Sequence, residues 1–255
     1  MSGHVRLLID GAAALVTLSN PAKFNAMSRA MWRELRQVFN ELQQRSDVRA
    51  VRVAGEGGHF CAGGDIAEYT DFRFHPEGLR DFHESDVWGG LSAMLACDLP
   101  IVAQIEGNCM GAGVEIASCC DVRVAGQGAR FGAPIAKLGF PMAPREAELV
   151  VREVGLATAR QMLLEAAVLD APTMLVRGFL QGVLHDADVP AEALQRVLRM
   201  TRLAPQAARM NKQALRALSH GQNAEALLAT AYDYADSAEH REGIAAFLAK
   251  RPPIF

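Results

Sequence analysis

Three glycine-bearing stretches hold the residue types that could do chemistry. The first is His59-Phe60-Cys61-Ala62-Gly63-Gly64-Asp65-Ile66. Adjacent glycines let the backbone approach a ligand closely and turn free N–H groups toward it. Asp65 is placed to cap a following helix. The stretch is neither a dinucleotide fingerprint nor a phosphate-binding Walker loop, and taken alone it reads as a strand-to-helix turn. The second runs from Gly107 to Ala117, where Gly111, Ala112 and Gly113 open a helix and one carboxylate, Glu115, sits among apolar neighbours. Unpaired N–H groups at a helix start are natural donors to an oxyanion, and burial raises a carboxylate into the range useful for proton transfer. The same residues also fit a structural acid held by a salt bridge or a backbone amide. The third, Phe131 to Pro141, reads as a strand and turn lining a pocket and carries no acid, thiol or histidine. His4, His75, His83, His185, His220 and His240 stand in polar contexts and read as surface residues, so no Ser/His/Asp set assembles.

Positioning these stretches requires elements that the pattern supplies. Two apolar runs over residues 5–18 flank Asp10-Gly11, a hairpin signal. Ser28 caps a helix in which Met31, Leu35, Val38 and Leu42 recur at helical spacing. Residues 48–53, 101–107, 121–126 and 129–134 read as strands, and residues 71–90, without a clean period, as a loop followed by a helix. Beyond Arg145 helices are expected at 146–154, 158–167, 173–180, 191–201, 206–219 and 224–235, with breaks at Gly155, Pro172, Pro190, Pro205 and Gly221. Strand–helix alternation followed by helices predicts an α/β chain with parallel pairing. It divides into a core at 1–143 and a helical region at 144–255.

Composition sets the class. Of 255 residues half are hydrophobic and 22% charged, enough for a large core. A net charge of -3 without a basic stripe argues against nucleic acid or an anionic membrane as partner. The five cysteines, two of them adjacent, make a poor disulfide framework and have no zinc spacing, so no metal is expected and they read as packing residues. The start MSGHVRLLID lacks a secretory pattern and no run of 18 apolar residues exists, which predicts a cytoplasmic protein.

Taken in order, these motifs resemble the crotonase superfamily, the enoyl-CoA hydratase/isomerase family. The resemblance rests on NPAKFNAM at 20–27, HFCAGGDI at 59–66, AQIEGNCMGAGVEIASCCDVRVA at 103–125, ARFGAPIAKLGF at 129–140 and EHREGIAAFLAKR at 239–251. It implies a spiral of repeated ββα turns, a C-terminal helical trimerisation region, and homotrimers or dimers of trimers. It implies an acyl-CoA thioester as ligand, with no cofactor beyond the coenzyme A of the substrate. It further implies that the N–H groups of Gly64 and Ala112 hold the oxygen of a thioester enolate. Ala112 stands where the family usually has glycine, and alanine keeps the donor if its φ suits an L-residue. Ala62, Gly64, Asp65 and Ile66 are implied to lie along the pantetheine and adenine, and Gly111, Pro134 and Ile135 to contact the substrate. Lys23, Phe247 and Lys250 are implied near the nucleotide end, the last two for a neighbouring subunit.

The carboxylates decide the reaction. Glu115 matches the family's first catalytic glutamate, but Ile135 stands where the second would follow Phe131-Gly132-Ala133-Pro134. With Glu115 as the single acid/base, isomerisation or carbon–carbon cleavage such as decarboxylation is expected in preference to simple hydration. The alternatives are a catalytically silent acyl-CoA binding or scaffold protein, and a hydratase with a relocated second acid supplied by Arg145 or Glu146.

Overall fold

A computed structural model describes residues 3–255; residues 1–2 of the expected core lie outside it. The chain opens with the predicted hairpin, β1 (His4–Asp10) against β2 (Ala13–Ser19), paired antiparallel and turned at Gly11, whose φ of 55° suits glycine. In β2 buried and part-buried residues alternate, so one face meets the core. Helix α1 (Arg29–Gln44) starts where Ser28 accepts a hydrogen bond from the Met31 amide. It buries Met31, Trp32, Leu35, Phe39 and Leu42 as one stripe.

The main sheet then adds β3 (Ala50–Gly55), β4 (Ile101–Ile105) and β6 (Val122–Gly126), each parallel to the one before. β4 is buried along its whole length, as a central parallel strand covered on both faces must be. A smaller sheet runs alongside: β5 (Asn108–Met110) pairs parallel with β7 (Arg130–Gly132), and Cys61 bridges to Cys109. Each turn of the chain thus contributes one strand to the large sheet and a short one to the small sheet before a helical stretch. This is the repeated ββα turn that the resemblance implies. The helical stretches differ so much in length that the repeat has no fixed sequence period.

Residues 66–96 are the longest of these stretches. A 3-10 turn (Ile66–Asp71), α2 (Pro76–Asp81), a π-helical turn (Phe82–Val87) and α3 (Trp88–Ala96) take the place of the expected loop and helix. The π-turn breaks the 3.6-residue repeat, which is why the segment shows no clean period. Its fastening to α1 is ionic. Buried Asp86 receives Arg29 Nε at 2.5 Å and Arg33 Nε at 2.6 Å, and the Arg29 amide donates to Glu68 at 2.8 Å. The turn formed by β4 and β5 carries the short helix α4 (Ala112–Ser118).

Beyond residue 143 the expectation of helices alone needs correcting. After α5 (Pro144–Val154) and α6 (Leu156–Leu164), β8 (Val168–Asp170) pairs antiparallel with β7. After α7 (Ala171–Val176), β9 (Gly182–Leu184) closes the large sheet beside β6. α8 (Val189–Met200) packs Val189, Ala193 and Val197 against Ala50, Val102 and Val124. Residue 143 is therefore not a seam in the sheets. α9 (Pro205–Ser219) follows as expected, and α10 (Ala238–Leu248) forms where the spacing had indicated no helix. Between them, only a 3-10 turn at Ala224–Leu227 and further turns form where a helix was expected. Leu228 and Tyr232 there are exposed, so no buried face pays the cost of helix formation.

Candidate functional site

A cavity of about 210 Å³ lies between the two glycine stretches and the 66–87 segment. One wall is backbone. Gly63 and Gly111 adopt φ of 114° and 47°, conformations in which a side chain would be strained. Their positions place Gly64 and Ala112 on the cavity. Met27 brackets Gly64, accepting from the Asp65 amide at 2.8 Å and donating to the Gly63 carbonyl at 2.8 Å, so neither bond uses the Gly64 N–H. Ala112 is the first residue of α4, where the amide has no intrahelical partner. Neither amide has an acceptor among the described residues. Ala112 is absent from the positive-φ residues, so an L-residue fits and its donor is retained.

Glu115, in the first turn of α4, is 6% exposed, and its carboxyl faces the cavity with no hydrogen bond or ion pair among the described residues. That excludes the structural acid held by a salt bridge. Burial, and then the charge of Glu146, push Glu115 well above its ordinary value near 4.5.

Glu146 corrects the expectation of a single carboxylate. It is 3% exposed and lines the same cavity from α5. Arg145 points outward, its Nε 3.1 Å from Glu84. His83, read from sequence as a surface residue, is also a cavity residue. Its Nδ1 lies 2.7 Å from Glu146 Oε1, and its Nε2 lies 3.5 Å from Arg73 Nη1. A guanidinium only donates, so Nε2 accepts from Arg73 and Nδ1 carries the proton given to Glu146. The signal for Glu146 was present in its spacing, since it shares a stripe with buried Leu149, Val150 and Val154. His83 sits in the π-turn and had no comparable signal.

The remaining predicted residues divide. Ala62, Ile66, Gly111, Pro134 and Ile135 line the cavity, as do Tyr69 and Phe82. Phe72 is buried outside it, and Phe74 is 78% exposed. Asp65 and Lys23 lie outside the cavity wall. They pair at 2.6 Å, and Asp65 also caps the 66–71 turn through the Ala67 amide, as expected. Phe247 and Lys250, on and just after α10, are exposed and do not reach this chain's own cavity. The five cysteines are free and buried, and no cluster of His, Cys, Asp or Glu among the described residues suits a metal. No helix of the described chain is long and apolar enough to cross a membrane.

Known proteins resemble this chain over nearly its whole length. Residues 9–255 match the family model described as enoyl-CoA hydratase/isomerase. A probable enoyl-CoA hydratase of Mycobacterium bovis is 30% identical over 96% of this chain and 95% of its own length. The 2,3-dehydroadipyl-CoA hydratase of Escherichia coli is 34% identical over 94% of each. Among solved structures, an enoyl-CoA hydratase/carnithine racemase from Magnetospirillum magneticum superposes with a TM-score of 0.95 at 33% identity, covering 98% of this chain and 94% of that one.

Proposed function

The chain belongs to the enoyl-CoA hydratase/isomerase family, and we propose that it adds water reversibly across the C2=C3 bond of an enoyl-CoA thioester with Glu115 and Glu146 as its two carboxylates. The observation that carries this reading is buried Glu146 beside Glu115 on one cavity. It replaces the chemistry built on a single acid, because the carboxylate missing at Ile135 is supplied from α5.

In this mechanism the thioester oxygen sits between the N–H groups of Gly64 and Ala112, which stabilise it as negative charge develops. A water molecule attacks C3 while Glu146, oriented by His83, takes its proton. The electron pair of the double bond moves onto the thioester, and C2 of the resulting enolate takes the proton of Glu115. The raised pKa of Glu115 suits the acid role. The hydratase names of the relatives support the same direction.

Lys23 and Asp65 are assigned to the nucleotide end of the ligand. Phe247 and Lys250 are assigned to the ligand of a neighbouring copy in a trimer or dimer of trimers. Apolar residues exposed on the C-terminal helices, among them Leu215, Leu218, Ile244 and Leu248, support self-association.

The test is turnover of crotonyl-CoA in deuterated water, followed by mass spectrometry. The wild type should give the water adduct with deuterium at C2, and Glu146→Gln should slow adduct formation about a hundredfold. Exchange or double-bond migration without water addition would restore the single-acid chemistry. Loss of carbon dioxide from a carboxyacyl-CoA in its place would do the same.

A further inference from the structure

Arg73 lines the cavity and is half-buried, but no carboxylate lies within ion-pair distance of it among the described residues. The contrast with other arginines removed from solvent is direct. Arg29 pairs with Asp81 and Asp86, Arg123 with Glu153, and Arg216 with Asp98. The Arg73 guanidinium is held by aromatic faces. Its central carbon lies 3.7 Å from the ring centre of Phe140 and 4.5 Å from that of Tyr69. The two ring centres lie 6.0 Å apart and the rings are inclined at 66°, so they meet the cation from adjoining sides rather than from opposite faces, and its N–H groups on the open side are left to reach outward. One of them meets His83 Nε2 at 3.5 Å, and no other hydrogen bond forms from this side chain among the described residues. Burial pulls Arg73 below its ordinary value near 12.5, with Tyr69 and Glu146 acting the other way. A cation with most of its donors unspent thus lines the cavity that also holds Glu115, Glu146 and His83.

The Tyr69 ring links this cation to the reaction centre. A Cβ built on Gly64 would fall 2.1 Å from the Tyr69 hydroxyl, so one end of the ring abuts the donor wall while its face supports Arg73. An acyl chain leaving the thioester along Tyr69 therefore passes apolar surface and reaches a guanidinium fork.

We propose that Arg73 is the receptor for a carboxylate at the far end of the acyl chain, and that the preferred substrates are ω-carboxyacyl-CoA thioesters. A carboxylate satisfies the unspent donors bidentately, and the two rings restrict where those donors point. The inference rests on the thioester reading above and narrows it to one class of acyl group.

Calorimetric binding of two unreactive six-carbon thioesters, adipyl-CoA and hexanoyl-CoA, tests it on the full chain. They differ only in a terminal carboxylate against a methyl group. The wild type should bind adipyl-CoA about tenfold or more tighter. Arg73→Met should bring the ratio to about one, and Arg73→Lys should keep part of the preference. A role for Arg73 exerted only through His83 and Glu146 would change turnover while leaving this binding ratio where it was. Equal wild-type affinities, or a preference that survives in Arg73→Met, would overturn the assignment and leave the thioester reading standing. Failure of both thioesters to bind would overturn the two together. If Arg73→Met does not fold, the wild-type ratio and Arg73→Lys decide.

Discussion

The two walls of the cavity are made by different means. The donor wall, Cys61–Ile66 with Gly111–Glu115, is held by backbone: the Cys61–Cys109 bridge, the bonds from Met27, and the register of β5 on β7. The acyl wall, residues 66–87 with 134–146, is held by side chains: Asp86 between two arginines, Arg73 against two rings, and His83 on Glu146. Backbone chemistry needs particular φ angles and small residues at fixed neighbours, so it leaves a compact motif. Side-chain chemistry is assembled from distant positions and leaves none.

Substitutions on the two walls should therefore fail in different ways. The largest effect belongs to Glu115→Gln, which should lower kcat about a thousandfold while thioester binding persists. Undiminished turnover would make Glu115 structural. The same variant carries a stability signature. The folded pKa of Glu115 is raised, so its favourable contribution is complete below pH 4.5 and is lost as pH rises through the folded value. Glu115→Gln should thus melt above the wild type at neutral pH, and thermal scans should show that gain closing toward pH 4.5.

Next comes Ala112→Pro. Proline is tolerated at the first position of a helix but has no N–H. Removing one donor of the pair should cost about 3 kcal/mol, close to a hundredfold in kcat, with little change in melting temperature. A folded variant with full turnover would take Ala112 out of the donor pair. The smallest catalytic effect is expected at Asp86, which fastens the acyl wall and lies outside the cavity that holds Glu115 and Glu146. Asp86→Ala should destabilise the fold by about 2 kcal/mol, since Arg29 and Arg33 are partly solvated, and should raise KM about tenfold with kcat nearly kept. A kcat loss as large as that of Ala112→Pro would erase the distinction between the walls.

How far each part could be foreseen follows the same division. The Asp10-Gly11 hairpin and the Ser28 cap are local patterns that stand where they were read, and Gly64, Ala112 and Glu115, singled out by two compact motifs, line one cavity. Glu146 was hidden because a charge opening a helix is usually solvated, although its stripe with Leu149 and Val150 pointed inward. His83 was hidden by the π-turn. β8 and β9 have three residues each, too few to show alternation, and they form because β7 and β6 offer open edges. The turns at 224–236 are the opposite case, with helix-forming residues of which none is buried.

The Asp86 clasp sets a rule for engineering. The acyl wall is the part to exchange when a different acyl group is wanted, because the donors on the other wall are main-chain atoms that serve any thioester. A graft of residues 66–87 that omits this carboxylate would leave Arg29 and Arg33 side by side in the opening turns of α1, at the positive end of the helix dipole. The transplanted segment has to bring its own counter-ion to that place, or the scaffold has to give up both arginines.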